Sequence, residues 1–329
     1  MLTVIFATHN GACTLPAVLA AYCRLEIPSG GWKLIVVDNA SADATREIVS
    51  SFCDRLPITY LYEEQPGKNA ALNSSLAHIE GDLVFLTDDD VFPGPDWLVR
   101  MKAAADTHPE FSIFGGVVLP RWEVAPPKWI VDWVPLGPVF TLTAASTPDG
   151  PVAPECVYGP NMVIRSEIFR RGYRFDATIG PRGKSYAMGS ETEFVVRLTR
   201  LGHSAWHVRD AEVEHYIREF QMRRPWILRR AIRFGRGQYR VHQVEQRVDM
   251  ATVGGIPGHL FNQILLQGWL VLKGLVCLDH EKAFRARWEF NVVWGQVVEA
   301  RNLCGTRTAV PTRSTTLHGI VAVDNRRAH

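Results

Sequence analysis

Over residues 2–90, short apolar runs rich in β-formers alternate with segments whose apolar residues recur at helical spacing, and few folds accommodate that order. Leu2 to Ala7 reads as a buried strand and Leu15 to Cys23 as a helix. Lys33 to Val37 reads as a second strand, ending on Asp38. Ala42 to Phe52 is helical, with Asp43 and Thr45 near its start. Ile58 to Tyr62 is a third strand, Asn69 to Ile79 a third helix and Leu83 to Thr87 a fourth strand. Strands and helices alternating at this spacing predict a parallel, doubly wound α/β sheet. Such sheets bind ligands at the carboxyl ends of their strands. Asp38 and the run Asp88-Asp89-Asp90 both stand at such ends.

The alternation stops after Phe114. Residues 118–155 carry eight prolines together with Trp122, Trp129 and Trp133, which predicts a long irregular loop over a site. Tyr158 to Arg165 reads as a strand, and Glu191 to Leu201 as a helix stopped by Gly202. Ser204 to Val208 and Ala211 to Ile217 read as two short strands. Pro225 to Val244 predicts an Arg-rich helix, 247–258 a Gly/Pro linker, and 259–278 and 280–303 two further helices.

With 329 residues, 47% of them hydrophobic and 21% charged, the chain is long enough for one large domain with appendages. A formal net charge of +2 argues neither for nor against nucleic acid, and no nucleic-acid motif supports such a partner. The six cysteines form no CxxC pair and read as reduced core thiols of a cytosolic chain. The opening Met-Leu-Thr-Val-Ile-Phe-Ala-Thr lacks a basic stretch and reads as a first strand rather than a signal peptide.

The strongest local signal is Asp88-Asp89-Asp90 after a buried strand. Three adjacent aspartates repel one another, and something cationic must offset that repulsion. A hard divalent cation gripping a diphosphate suits them. A solvated acidic turn or helix cap ahead of Pro93 and Pro95 is the plainer alternative. A second acidic pair, Glu191 and Glu193, opens a helix, where the helix dipole favours acids in any case. His215 lies in Glu212-Val213-Glu214-His215-Tyr216, where alternation puts Val213 and His215 on one strand face. A lone histidine there serves structure as readily as chemistry.

The order of the motifs adds what no single one carries. Thr8-His9-Asn10, then Val36-Val37-Asp38-Asn39-Ala40-Ser41-Ala42-Asp43, then Gly67-Lys68-Asn69-Ala70-Ala71-Leu72-Asn73 stand in sequence. Asp88-Asp89-Asp90, Gly159-Pro160-Asn161-Met162-Val163-Ile164-Arg165 and Gly189-Ser190-Glu191 follow. From about Leu2 to Tyr239 this series resembles glycosyltransferase family 2: its donor loop, second-strand motif, third-strand loop, DxD, acceptor-side strand and Gly-Glu-Asp. The resemblance implies a GT-A type, Rossmann-like, doubly wound mixed sheet with a C-terminal helical appendage. It implies an inverting transfer of a sugar from a nucleotide-diphosphate sugar, a UDP-sugar first, to a saccharide, lipid-linked or other hydroxyl acceptor in polysaccharide, glycolipid or other glycoconjugate synthesis.

Residue by residue, the resemblance implies that Asp38 accepts a hydrogen bond from the base, and that Thr8, Asn10 and Lys68 hold the nucleotide. Asp88 then faces the ribose or the metal with Asp89 beside it, while Asp90 and His215 bind Mg2+ or Mn2+. Glu191 deprotonates the acceptor, with Glu193 as the fallback, because Ser190-Glu191 stands where the family has Glu-Asp. Gln221-Met222-Arg223-Arg224-Pro225-Trp226 echoes the Gln-x-x-Arg-Trp of processive members, but Pro225 interrupts it. The implied division is a catalytic unit over 1–217, with a nucleotide-sugar half to about 117 and an acceptor half from about 118. An Arg-rich helix over 218–246, a helical hairpin over 247–304 and a flexible tail over 305–329 follow.

Two other classes compete. A nucleotidyltransferase of similar fold would show a Gly-rich basic loop after the first strand, where this chain has only Gly11. Against a non-catalytic, membrane-associated carbohydrate-binding protein stand the intact carboxylates Asp88, Asp90 and Glu191.

Eight arginines, at 218, 223, 224, 229, 230, 233, 236 and 240, interleave with Trp226, Ile227, Leu228, Ile232 and Phe234. This pattern suits an interfacial helix facing anionic lipid, a guanidinium or two beside the donor diphosphate, or a solvated packed helix. Residues 259–278 are apolar over about one bilayer length yet contain Asn262, Gln263, Gln267 and Lys273, which favours a monotopic or buried helix over a span. The expected location is cytoplasmic, peripheral on the inner face of the membrane.

Overall fold

The structure is a computed structural model that describes residues 1–183, 185–245, 252–253 and 255–308. Strands β1 (Leu2–Thr8), β2 (Trp32–Asp38), β3 (Ile58–Tyr62) and β4 (Leu83–Leu86) alternate with helices α1 (Leu15–Tyr22), α2 (Thr45–Ser50) and α3 (Lys68–Ser75). Next come β5 (Val91–Pro93), α4 (Trp97–Thr107), β6 (Ile113–Trp122), α5 (Lys128–Trp133), α6 (Leu136–Phe140), β7 (Gly150–Val152), β8 (Met162–Arg165) and α7 (Ser166–Arg170). The chain continues through α8 (Ser190–Arg200), β9 (Ala205–Ile217), α9 (Arg224–Glu245), β10 (Thr252–Val253), β11 (Ile256–Pro257), α10 (Gly258–Val276) and α11 (His280–Thr308).

Among the described residues, nine strands form one sheet in the order β3-β2-β1-β4-β8-β6-β9-β5, with β7 pairing β9. The four N-terminal strands are parallel, as the alternation predicts. The sheet as a whole is mixed, because β8 runs antiparallel to both β4 and β6. Hydrophobic period reports which face a residue takes but not strand direction. Direction here follows from the excursion after β6, which returns to the end of the sheet it left and forces β8 to run back. The period of two divides the core between the faces. Leu2, Val4, Phe6, Phe85 and Trp97 pack on one side, and Ile5, Ile35, Val84, Ile164 and Phe194 on the other.

The expected loop over 118–155 is more ordered than its prolines suggest. Its first residues complete β6, where Pro120 is tolerated because β8 reaches only as far as Gly115 and leaves that edge open. Short helices α5 and α6 follow, and Val139 and Phe140 are buried. Only Met162–Arg165 of the strand expected from Tyr158 is extended. Gly159–Asn161 forms a 3-10 turn, and Pro160 has no N–H to give a ladder. The two short strands expected after 204 are the single strand β9, whose register against β6 shifts between Gly116 and Val117, where the exposed Arg209 and Asp210 bulge outward. The cysteines are free thiols, but they are not core residues: five are exposed and Cys156 is half-buried. Cys23 and Cys277 cap the ends of α1 and α10, outside the buried stripes.

At the C-terminus, α9 and α11 touch backbone to backbone. A Cβ at Gly235 would fall 1.9 Å from the Val292 carbonyl oxygen, and one at Gly295 would fall 2.1 Å from that of Ile232. Beside this crossing, Arg236 Nε (2.7 Å) and Arg240 Nε (2.5 Å) both donate to the fully buried Glu299. Among the described residues, no helix is long and apolar enough to cross a membrane. Residue 246 of the expected Arg-rich helix, 247–251 and 254 of the expected linker, and 309–329 of the expected tail lie outside the described residues, while α11 itself continues to Thr308.

Candidate active site

A cavity of about 830 Å³ opens at the carboxyl ends of β1, β2 and β4. Thr8, Lys68, Asp88, Asp89, Asp90, Glu191 and His215 all line it. The sequence therefore named seven residues, far apart in the chain, that share one space. Asn10 and Asp38 do not line it. Asn10, at a positive φ of 54°, accepts a hydrogen bond from the Ala42 N–H and stitches two loops together. Asp38 is buried, and accepts from the Ser41 N–H at 2.9 Å and from the Tyr60 hydroxyl at 2.7 Å. Its neighbour Asn39 does reach the cavity, and its amide accepts from Gly67 N–H and donates to the Glu63 and Gln65 carbonyls. The motif flagged Asp38; the residue next to it meets the cavity.

Gly67, at a φ of +134°, turns the chain into α3 and aims Lys68 inward. Lys68 Nζ contacts the Asp88 carboxylate and lies 2.5 Å from Glu191 Oε1, so one ammonium joins the two walls of the cavity. Burial works against its charge, but Asp88 and Glu191 outweigh burial and push its pKa up. Asp88 is held above the usual carboxylate range, by burial first and despite Lys68. Asp89 accepts a 2.5 Å hydrogen bond from the Thr8 hydroxyl, and is pushed up to about 7 by burial and then by the charge of Asp90.

Short strand β5 pairs with β9 so that Val91 faces His215, which brings Asp90 beside that histidine. His215 Nε2 lies 3.5 Å from Asp90 Oδ1. His215 Nδ1 lies 2.7 Å from the Phe140 carbonyl oxygen and so carries the proton. The Nε2 edge then faces the Asp90 carboxylate, and in the neutral ring with its proton on Nδ1 both facing atoms are acceptors. Two opposed acceptors of this kind, with Asp88 nearby, fit a hard or borderline divalent cation. Among the described residues, no three His, Cys, Asp or Glu side chains converge on one point as they stand. Asp88 is turned to Lys68, and Asp90 Oδ2 accepts from Arg218 Nη1 at 3.0 Å.

Gly189, at a φ of +86°, sets the start of α8 so that Glu191 meets the cavity. Glu191 Oε2 accepts from the Ser190 hydroxyl at 2.5 Å. Burial alone would raise Glu191, but the Lys68 ammonium outweighs it and holds the carboxyl below the usual range. Gly159 presses against this side chain, since a Cβ there would lie 2.8 Å from Glu191 Cδ. Glu193 points elsewhere: it is buried and bonded to Arg197 Nε at 2.7 Å, which removes it as a fallback base.

Of the three roles open to the basic segment, the structure shows most of its arginines engaged within the protein. Arg218 holds Asp90, Arg236 and Arg240 hold Glu299, Arg233 stacks on Tyr186, and Arg224 covers Trp129 and Trp133. Arg223, Arg224 and Arg229 are its exposed members. Sequence reasoning offered the donor diphosphate as a partner for one or two of these arginines but named no protein partner, because a charge pattern does not say what packs against it.

A mixed α/β sheet with acidic strand ends and a carboxylate-bearing helix around one cavity is the architecture of the GT-A fold, the fold of the solved glycosyltransferases it resembles. Residues 3–170 match the model of Glycosyl transferase family 2, and the chain belongs to that family. In the solved complex of the mannosyltransferase PcManGT from Pyrobaculum calidifontis with GDP-Man and Mn2+, the fold recurs at a TM-score of 0.56 and 19% identity, covering 93% of this chain and 79% of that one. Glycosyltransferase AglE of Haloferax volcanii is 26% identical over 265 residues, 76% of this chain and 77% of that protein. The glucosyl-dolichyl phosphate glucuronosyltransferase of the same organism is 23% identical over 159 residues, 46% of this chain, which spans about half (48%) of that relative's length.

Proposed function

We propose that this glycosyltransferase moves a sugar from a nucleotide-diphosphate sugar, a UDP-sugar first, to the hydroxyl of a saccharide or lipid-linked acceptor, with inversion. One observation carries the reading: Asp88 and Glu191, from the two halves of the chain, face one cavity and share the Lys68 ammonium. The nucleotide-sugar half is 1–117 and the acceptor half 118–217 in this reading. Thr8 and Asn39 border the nucleotide, and Asn10 and Asp38 hold the loops that receive it. Asp90 and His215, with Asp88, are the residues that would hold Mg2+ or Mn2+, which neutralises diphosphate charge when bound.

Glu191 takes the acceptor proton as the new bond forms. A single base and a direct displacement give inversion. An arriving diphosphate competes with Glu191 for Lys68, and a Glu191 released from that ammonium becomes a stronger base, because burial is then unopposed. The base is thereby set free when the donor is in place.

The acceptor side suits a lipid carrier, the substrate type in the name of the glucuronosyltransferase relative. On α10, Phe261, Leu265, Leu266, Trp269, Leu272, Leu275 and Val276 are exposed, and Leu278 follows. The helix holds no acidic residue, and Lys273 sits over the Trp269 ring, 5.0 Å from its centroid. An apolar stripe with a basic, aromatic border suits the interface of a lipid bilayer. The protein would then work peripherally at a membrane surface.

The test is a thermal-shift screen of UDP, GDP and their sugars with and without Mn2+, paired with detection of the released nucleotide. Release of nucleoside diphosphate with sugar transfer is expected. Release of pyrophosphate would mark a nucleotidyltransferase instead.

A further inference from the structure

Lys68, on the cavity wall, and Arg218, behind Asp90, already have carboxylate partners in Asp88, Glu191 and Asp90. Arg230, from the middle of α9, lines the same cavity and has no carboxylate within ion-pair distance among the described residues. Its Nε is buried without a hydrogen-bond partner. Its guanidinium lies over the Trp226 ring, 5.3 Å from the centroid. Trp226 is stacked in turn on Phe140, at 6.2 Å and 9°, and the Phe140 carbonyl is the group that orients His215. One turn further on, Arg233 repeats the pattern: its Nε is also buried and unpartnered, and its guanidinium lies over the ring of Tyr186, another cavity residue.

Two guanidiniums on neighbouring turns repel each other, and holding either one half-buried without a counter-ion is unfavourable. Burial lowers Arg230 to about 10, so it is still a cation at neutral pH. Buried donors left without partners in a packed site call for an explanation. An anion entering the cavity would meet the Arg230 side chain there and supply the ion-pair partner it lacks. A phosphate oxygen pair matches the planar fork of a guanidinium in a way that a point-charge ammonium does not.

We propose that Arg230, fixed by Trp226 and backed by Arg233, is a seat for a phosphate group at the α9 wall of the cavity. It rests on the glycosyltransferase reading only for the source of that phosphate: the donor diphosphate, or the phosphate of a lipid-linked acceptor. Its chemistry is the same for both.

Inorganic pyrophosphate, UDP, GDP, farnesyl phosphate and farnesol are titrated calorimetrically into the wild-type chain, Arg230→Gln, Arg230→Lys and the outward-facing control Arg229→Gln. Arg230→Gln is expected to weaken at least one phosphate ligand about tenfold to a hundredfold, the range for charge-assisted hydrogen bonds. Arg230→Lys should recover only part of the loss, and Arg229→Gln should bind as wild type. A loss confined to pyrophosphate and the nucleotides assigns the seat to the donor. A loss confined to farnesyl phosphate, with farnesol unchanged, assigns it to the acceptor. Arg230-dependent pyrophosphate binding without UDP or GDP binding would keep the seat and overturn the nucleotide-sugar reading. Wild-type affinity of Arg230→Gln for every phosphate ligand, an equal loss for farnesol, or no phosphate binding by the wild type would overturn the seat.

Discussion

Lys68 sets how basic Glu191 is, and both residues can be tested one at a time. Glu191→Gln keeps the size of the side chain and removes its basicity, so turnover should fall by about 10²- to 10⁴-fold, while donor affinity in calorimetry should hold or rise, because no carboxylate then competes with the diphosphate for Lys68. Normal turnover in that variant would remove Glu191 from the reaction. Lys68→Met separates charge from packing. Lys68 holds the Glu191 carboxyl low, and burial alone would raise it. Without the ammonium, the acid limb of the kcat/KM profile should move to higher pH. An unmoved limb would mean that another group titrates there. Glu191, Lys68 and Asp88 were legible in the sequence because their motifs keep a fixed order. Asn39 was not, and Arg230 could not be told from seven other arginines, since nothing in a linear pattern says which polar side chain meets a cavity.

At the scale of elements, α9 and α11 are joined through Glu299, a buried carboxylate between two arginines. Glu299→Ala leaves Arg236 and Arg240 without their counter-charge and should destabilise the chain by about 3–5 kcal/mol, read as a lower denaturation midpoint. A midpoint shift equal to that of an exposed substitution would deny the pair its structural role. Helix α10 calls for a different measurement. Leu265→Glu with Leu272→Glu should abolish co-sedimentation with anionic lipid vesicles, while Arg223→Gln with Arg229→Gln should reduce it little. Burial of apolar area carries the contact in this reading, so wild-type binding should survive salt that screens surface charge. Binding lost with the arginine pair and kept with the leucine pair would return the interface to α9. The Arg-rich pattern suited a lipid-facing helix, guanidiniums beside a diphosphate or a packed helix, and most of its guanidiniums face carboxylates, aromatic rings or the cavity. Amphipathicity alone does not distinguish a lipid from a protein partner.

For the whole molecule, the two halves act together only if a cation and a nucleotide meet between them. A nucleoside diphosphate should raise the melting temperature with Mn2+ present and do so far less in EDTA, and Asp90→Ala should erase the metal-dependent part. Equal stabilisation in EDTA would rule out Asp90 and His215 as a metal pair. By itself, the sequence determined the parallel strand–helix start, the two faces of its core and the order of the carboxylate motifs. These depend on periods of 2 and 3.6 and on residue type, which are local properties. The tertiary structure alone decided that β8 runs backward, that β5 lies beside β9 and so brings Asp90 to His215, and that Lys68 stands between Asp88 and Glu191. Strand direction and charge partners depend on where long connections re-enter the sheet, and packing of distant segments, not local pattern, sets that.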